Sequence, residues 1–175
     1  TGECLAWGDS YCGGKLSDAY KAKLEKGIQR VWNTTDCLLV QLKTGECLTW
    51  GQVSGFDTQV QQALLEKGIK SVRSNDYAFL AQLDTGECLA WGDSYCGGKL
   101  SDAYKAKLEK GIQRVWNTTD CLLVQLKTGE CLTWGQVSGF DTQVQQALLE
   151  KGIKSVRSND YAFLAQLDTG ECLAW

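Results

Sequence analysis

Thr1-Gly2-Glu3-Cys4-Leu5-Ala6-Trp7 opens the chain and returns four times, at 44–50, 85–91, 128–134 and 169–175, with Thr49 and Thr133 in place of alanine. The successive spacings are 43, 41, 43 and 41 residues, so the true unit is 84 residues long and holds two related halves. Residues 1–84 recur letter for letter as 85–168, and 169–175 begin a third copy. Self-similarity at a fixed period decides architecture before any local reading does. The chain is a repeat array: a first unit of two halves at 1–84, an identical one at 85–168, and the start of another at 169–175.

Each half carries the same grammar. Glu3 to Trp7 reads as a short strand and Gly8 to Gly14 as a loop. A helix is expected over Asp18 to Lys26, capped by Ser17 and ended by Gly27, with Leu16, Ala19, Tyr20 and Leu24 as its apolar face. The second half repeats this with Asp57 or Thr58 as cap, Val60, Ala63 and Leu64 as face, and Gly68 as stop. A strand at Ile28 to Trp32, a turn at Asn33 to Asp36 and a strand at Cys37 to Leu42 follow. Lys43-Thr44-Gly45 reads as a three-residue hairpin loop, Gly supplying the positive φ of a bulge. That register sets Leu42 opposite Glu46, Val40 opposite Leu48 and Leu38 opposite Trp50. One hairpin face then carries Leu38, Val40, Leu48 and Trp50, the other Cys37, Leu39, Cys47 and Thr49. Both faces are largely apolar, so a lone unit cannot bury them and neighbouring units must cover both.

Composition narrows the function. An apolar fraction of 43% with 22% charged residues is that of an ordinary folded chain. A net charge of −3 and a pI near 5.0 argue against a nucleic-acid partner, which requires a basic face. No apolar run is long enough for a membrane span, and none has the pattern of a signal peptide. Met is absent and the sequence starts and stops in mid-unit, which reads as a window cut from a longer, processed or engineered chain.

The residues Ile28-x-x-Val31, Leu38-Leu39-x-Gln41-Leu42-Lys43-Thr44-Gly45-Glu46-Cys47-Leu48-Thr49-Trp50-Gly51, Asp84-Thr85-Gly86 and Trp91-Gly92-Asp93 resemble the repeat of the regulator of chromosome condensation propellers. The period of about 42 residues is similar to the family's short-bladed, secreted, β-lactamase-inhibitor-like branch. The resemblance implies propeller blades and, at a closed rim, a protein partner. Two features depart from it: Gly13-Gly14 stands where the family has a proline-containing connection, and a fuller helix takes the place of the outer strand. Four half-units are also fewer than the roughly seven blades with which such rings close. The expected fold is therefore an α+β repeat protein of three-stranded hairpin units, each with one short helix, stacked as an open superhelical solenoid; a closed β-propeller is the alternative.

Cysteines come four to a complete unit. Cys4, Cys47, Cys88, Cys131 and Cys172 recur once per half, where the resembled repeat has a buried aliphatic residue, and read as core. Cys12 and Cys37, with their copies Cys96 and Cys121, occur only in odd halves; Ala78 is the counterpart of Cys37. Appearing and vanishing together, they are expected to pair as Cys12–Cys37 and Cys96–Cys121, the alternative being four unrelated thiols. Closing such a loop would stabilise by about 3 kcal/mol on the chain-entropy model. Asn33-Thr34-Thr35 and Asn117-Thr118-Thr119 are glycosylation sequons in an expected exposed turn. Sequon and cysteine pair together point to an extracellular or secreted site.

Little in the chain suggests catalysis. There is no His, and the cysteines lack the spacing of a structural zinc site, so neither a cofactor nor a metal is expected. Glu3 and Glu46 sit at hairpin ends, Asp9 lies in the glycine loop, and Gly13-Gly14 has no phosphate-binding Lys-Ser/Thr signature. The tryptophans that end the repeated strands read as packing between units. Trp32 and Trp116 occur only in odd halves, opposite the polar Arg73, and with Tyr11 and Tyr95 form a candidate contact surface. The expected function is structural: an extracellular filament or tube built by self-association of identical units, end to end or laterally, without catalysis. A propeller-type protein-binding or inhibitor module and a designed repeat scaffold are the alternatives.

Overall fold

A computed structural model describes residues 2–175. Four short helices alternate with four three-stranded antiparallel sheets. The first half-unit holds α1 (Asp18–Leu24), β1 (Ile28–Asn33), β2 (Cys37–Leu42) and β3 (Cys47–Gly51), and the second holds α2 (Thr58–Lys67), β4 (Ile69–Ser74), β5 (Ala78–Leu83) and β6 (Cys88–Gly92). The third comprises α3 (Asp102–Leu108), β7 (Ile112–Asn117), β8 (Cys121–Leu126) and β9 (Cys131–Gly135). The fourth comprises α4 (Thr142–Lys151), β10 (Ile153–Ser158), β11 (Phe163–Leu167) and β12 (Cys172–Ala174). Each sheet keeps its three strands in chain order, and among the described residues no sheet closes on itself.

Local chemistry fixes these elements. Ser17 and Asp57 cap α1 and α2, accepting hydrogen bonds from the backbone N–H groups of Tyr20 and Val60. The first helix stops at Leu24, before the expected Lys26, and the second runs to Lys67, just before Gly68. The expected hairpin register holds: Val40 faces Leu48, Leu38 faces Trp50, and the Leu42 N–H donates to the Glu46 carbonyl at 2.8 Å. Gly45 turns this hairpin at φ +89°, in the left-handed region that favours glycine. Gly51 has a second reason to be glycine: a Cβ there would lie 2.3 Å from the Asp36 carbonyl oxygen.

The two faces of the central strands β2, β5 and β8 enter different cores. Cys37, Leu39 and Cys47 pack forward onto Leu64 of α2 and onto Val72, Phe79, Ala81 and Trp91 of the second sheet. Val40, Leu42 and Leu48 pack backward with Leu24 of α1 and with Leu16 just before it. The same forward packing joins the third sheet to the fourth. A different junction joins the second sheet to the third, where Leu80 and Cys88 meet Leu108, Leu122, Val124 and Trp134. Odd-to-even and even-to-odd junctions therefore alternate along the array.

A seam of backbone hydrogen bonds runs past the turns that join the first two strands of each sheet. The N–H of Thr35 donates to the Asp76 carbonyl at 3.1 Å, that of Asp76 to Thr119 at 3.3 Å, and that of Thr119 to Asp160 at 3.0 Å. Ser74 Oγ and Ser158 Oγ add bonds to the carbonyls of Asn33 and Asn117 across the odd-to-even junctions. On the helical side, Lys23, Lys67, Lys107 and Lys151 pair with Glu46, Glu87, Glu130 and Glu171, the glutamates of the recurring Thr-Gly-Glu.

One expectation fails instructively. Glu3 to Trp7, read as a strand, belongs to no ladder, whereas its copy in β6 pairs with β5. The stretch becomes a strand only where a preceding hairpin arm lies beside it.

Candidate functional site

The expected disulfides do not form: all nine cysteines are free thiols. The physical reason is direction. The Cys12 thiol donates to the Asp36 carboxylate at 3.4 Å, and its copy Cys96 lies 3.6 Å from Asp120. Cys37 and Cys121 turn into the odd-to-even core beside the hydroxyls of Thr49 and Thr133. The hydrogen bond to Asp36, followed by burial, holds the Cys12 thiol above its usual range, and burial first of all pushes Cys96 up to about 11. Of the recurrent class expected in the core, Cys47, Cys88 and Cys131 are buried, whereas Cys4 is half-buried and Cys172 exposed, because each lacks the neighbouring half-unit that covers the interior copies.

Asn33 and Asn117 are exposed at the ends of β1 and β7, each side-chain amide donating to the carbonyl of the following threonine. Tyr11 and Tyr95 are exposed. Trp32 and Trp116 are half-buried against the first and third junctions, and the Arg30 guanidinium sits over the Trp32 ring at 5.9 Å. Among the described residues the aromatic pairs all involve the strand-ending tryptophans, so Trp32 and Tyr11 are not brought together as a patch. The described residues hold no cluster of three metal-ligating side chains and no helix long and apolar enough to cross a membrane.

Some apolar side chains that are buried in interior half-units are exposed in the first and fourth, and sequence reading did not single them out. Leu80 is 2% exposed in the second junction, but Leu164, the same residue one unit later, is 49% exposed. At the opposite end Val31 is 52% exposed, whereas its copy Val115 packs into the second junction. Beside Val31 opens a cavity of about 450 Å³, lined by Leu16, Leu24, Ile28, Leu38 and Val40 together with Cys4 to Trp7. Its walls are those that receive Leu80 and β6 in the interior. Trp7 is 83% exposed, while Trp91 is fully buried between Phe56 and Phe79, and Trp175 lies against Phe140 and Phe163.

No family model and no curated protein matches the chain. Solved structures do. Yeast RCC1 (Prp20), in its complex with Kap60, superposes with a TM-score of 0.52 at 14% identity, over 92% of this chain and 44% of that one. The ectodomain of the Physcomitrella patens receptor kinase CR4 gives 0.51 at 14% identity over 86% and 39%, and the CRINKLY WD40 ectodomain of Arabidopsis thaliana ACR4 gives 0.50 at 13% over 86% and 50%. The chain thus spans half or less of each. At such identities the likeness is one of fold: the four sheets are arranged like successive propeller blades.

Proposed function

We propose that this chain is a structural repeat module that self-associates end to end into a filament or tube, without catalysis. The observation that supports the reading is the two-sided packing of the interior sheets: Cys37 and Leu39 of β2 pack to one side and Val40 and Leu42 to the other, and Phe79 and Leu80 of β5 likewise enter different junctions. Each half-unit therefore needs a neighbour on both sides, and identical 84-residue units meet that need by continuing along one axis. A heterologous contact between identical units extends into an open array wherever its rotation does not close a ring. The open superhelical arrangement follows from that growth. An extracellular location is part of the proposal and rests on the exposed sequon asparagines Asn33 and Asn117, since the free thiols remove the argument from disulfides.

A second reading, an arc of a protein-binding propeller, has the blade-like arrangement shared with yeast RCC1 in its favour. Negative-stain electron microscopy of the 175-residue chain under reducing conditions separates the two. Filaments or tubes with an axial repeat support the structural module; discrete rings, or particles of one small size, support the propeller.

A further inference from the structure

We propose that the first strands of the sheets form a cationic surface that binds a linear anionic polysaccharide. The inference goes beyond self-association, and it stands whether successive units extend as an open array or close as a propeller.

The argument starts from where the chain keeps its positive charge. All four arginines, Arg30, Arg73, Arg114 and Arg157, lie on β1, β4, β7 and β10, together with Lys70 and Lys154. These strands hold six of the 18 basic residues and none of the 21 acidic ones, in a chain of net charge −3. A surface of one sign in a molecule of the other attracts ligands of opposite charge. The interior half-units show that no neighbour covers it: Lys70 and Arg73 of β4 and Arg114 of β7 have a half-unit on either side and remain exposed. Among the described residues every salt bridge joins a helix lysine to a carboxylate, and none involves a first strand.

Geometry makes these residues one surface. β1 runs beside β4 and β7 beside β10. The Arg114 guanidinium donates across that contact to the Ile153 carbonyl at 3.5 Å, as Arg30 does to Ile69 at 3.2 Å. The bond from Asp76 to Thr119 sets β7 next in line after β4. Each first strand is the edge of its sheet, yet each is irregular at its second residue, Lys70 in β4 and Gln113 in β7. A bulge spoils an edge for pairing with another chain, so a partner meets side chains here and not a free ladder. That disfavours an acidic peptide added as a further strand.

The side chains select among the remaining polyanions. Guanidinium groups match carboxylate and sulfate oxygens with paired donors. The charges are spaced: β4 offers Lys70 and Arg73, β7 offers Arg114, and between them stand the neutral Ser71 and Gln113 and the half-buried indole of Trp116. A polymer whose anionic groups are separated by hydroxyl-bearing sugar rings engages both kinds of position. A polynucleotide, with a phosphate at every residue, would leave the neutral ones unused.

Isothermal titration calorimetry of the reduced 175-residue chain at low ionic strength tests this, with polygalacturonate, dextran sulfate, neutral dextran and poly(dT) as probes. Two double variants accompany the wild type: Arg73→Gln with Arg157→Gln on the first strands, and Lys15→Gln with Lys99→Gln off them. All four side chains are exposed, and thermal unfolding verifies that both variants fold. Wild type is expected to bind polygalacturonate or dextran sulfate, the better of the two identifying the anion, and to ignore neutral dextran. Added salt should weaken binding. The arginine variant should lose about tenfold in affinity and the lysine variant less than about twofold. Binding to neither anionic polysaccharide, or equal losses in the two variants, overturns the proposal. Binding of poly(dT) as tight as that of the polysaccharides overturns it in favour of a nucleic-acid surface. The structural module is judged separately, by the particles seen in the microscope.

Discussion

The indole of Trp91 stacks on the ring of Phe79, the centroids 5.3 Å apart and the planes inclined by 23°. Trp91 is fully buried, yet the identical tryptophan of the opening heptapeptide, Trp7, is almost bare. Trp91→Ala therefore removes a packed aromatic and is expected to cost about 3–5 kcal/mol. Trp7→Ala is expected to change stability by less than about 0.5 kcal/mol. Urea denaturation of the two variants, in dilute solution where association is absent, measures the difference. Equal losses would contradict the unequal burial.

Asp57 and Asp141 hold the first turns of α2 and α4 by accepting from Val60 and Val144, each at 2.9 Å. Replacing either with Ala should cost about 1 kcal/mol, and the double variant about twice that, because equivalent caps in separate half-units share no partner. Asp57→Ser, which keeps an acceptor, should recover most of the loss. Thermal unfolding of the four proteins checks the series.

Thiol counting distinguishes the free cysteines from the pairing that co-occurrence suggests. In denaturant without reductant, Ellman's reagent should titrate all nine cysteines. Two disulfides would hide four of the nine and leave five. In the native protein Cys172 is exposed and Cys4 and Cys12 are partly so, and these three should react ahead of the buried six.

Alkaline pH should destabilise the array through its buried thiols. Burial pushes Cys47 and Cys88 up to about 11 and Cys131 up to about 12, from 9.0 in the unfolded chain. Between those values the folded protein keeps protons that the unfolded chain has released, so stability is full below about pH 9 and falls as pH rises through about 11. Denaturation midpoints across that window should decline, and Cys131→Val should shallow the decline. An unchanged slope in that variant would show that the Cys131 thiol contributes nothing to it.

What could be read from the sequence was what the chain settles over short distances. The cap at Ser17, the loop at Lys43 to Gly45 and the pairing of Val40 with Leu48 depend on residues a few positions apart, and all three stand. The alternation of Leu38 and Val40 with Cys37 and Leu39 also assigned the two faces to two cores. The cysteine pairing failed because co-occurrence carries no direction: Cys12 turns to a carboxylate, Cys37 into a core. The opening heptapeptide shows the same limit, since identical residues are a strand at 88–92 and none at 3–7. Its state depends on a mate that no local pattern encodes. The end faces were hidden for a related reason, as Leu80 and Leu164 are indistinguishable letters and differ only in what lies opposite.

The seam through Thr35, Asp76, Thr119 and Asp160 is made of main-chain atoms alone. Such bonds tolerate any side chain that leaves the turn intact, whereas the junction cores depend on the volumes of Leu, Phe and Trp. Contact between neighbouring turns is thereby indifferent to side-chain identity, while contact between neighbouring sheets is not. Substitution in the cores changes how firmly the half-units hold together and leaves the turn-to-turn bonds in place.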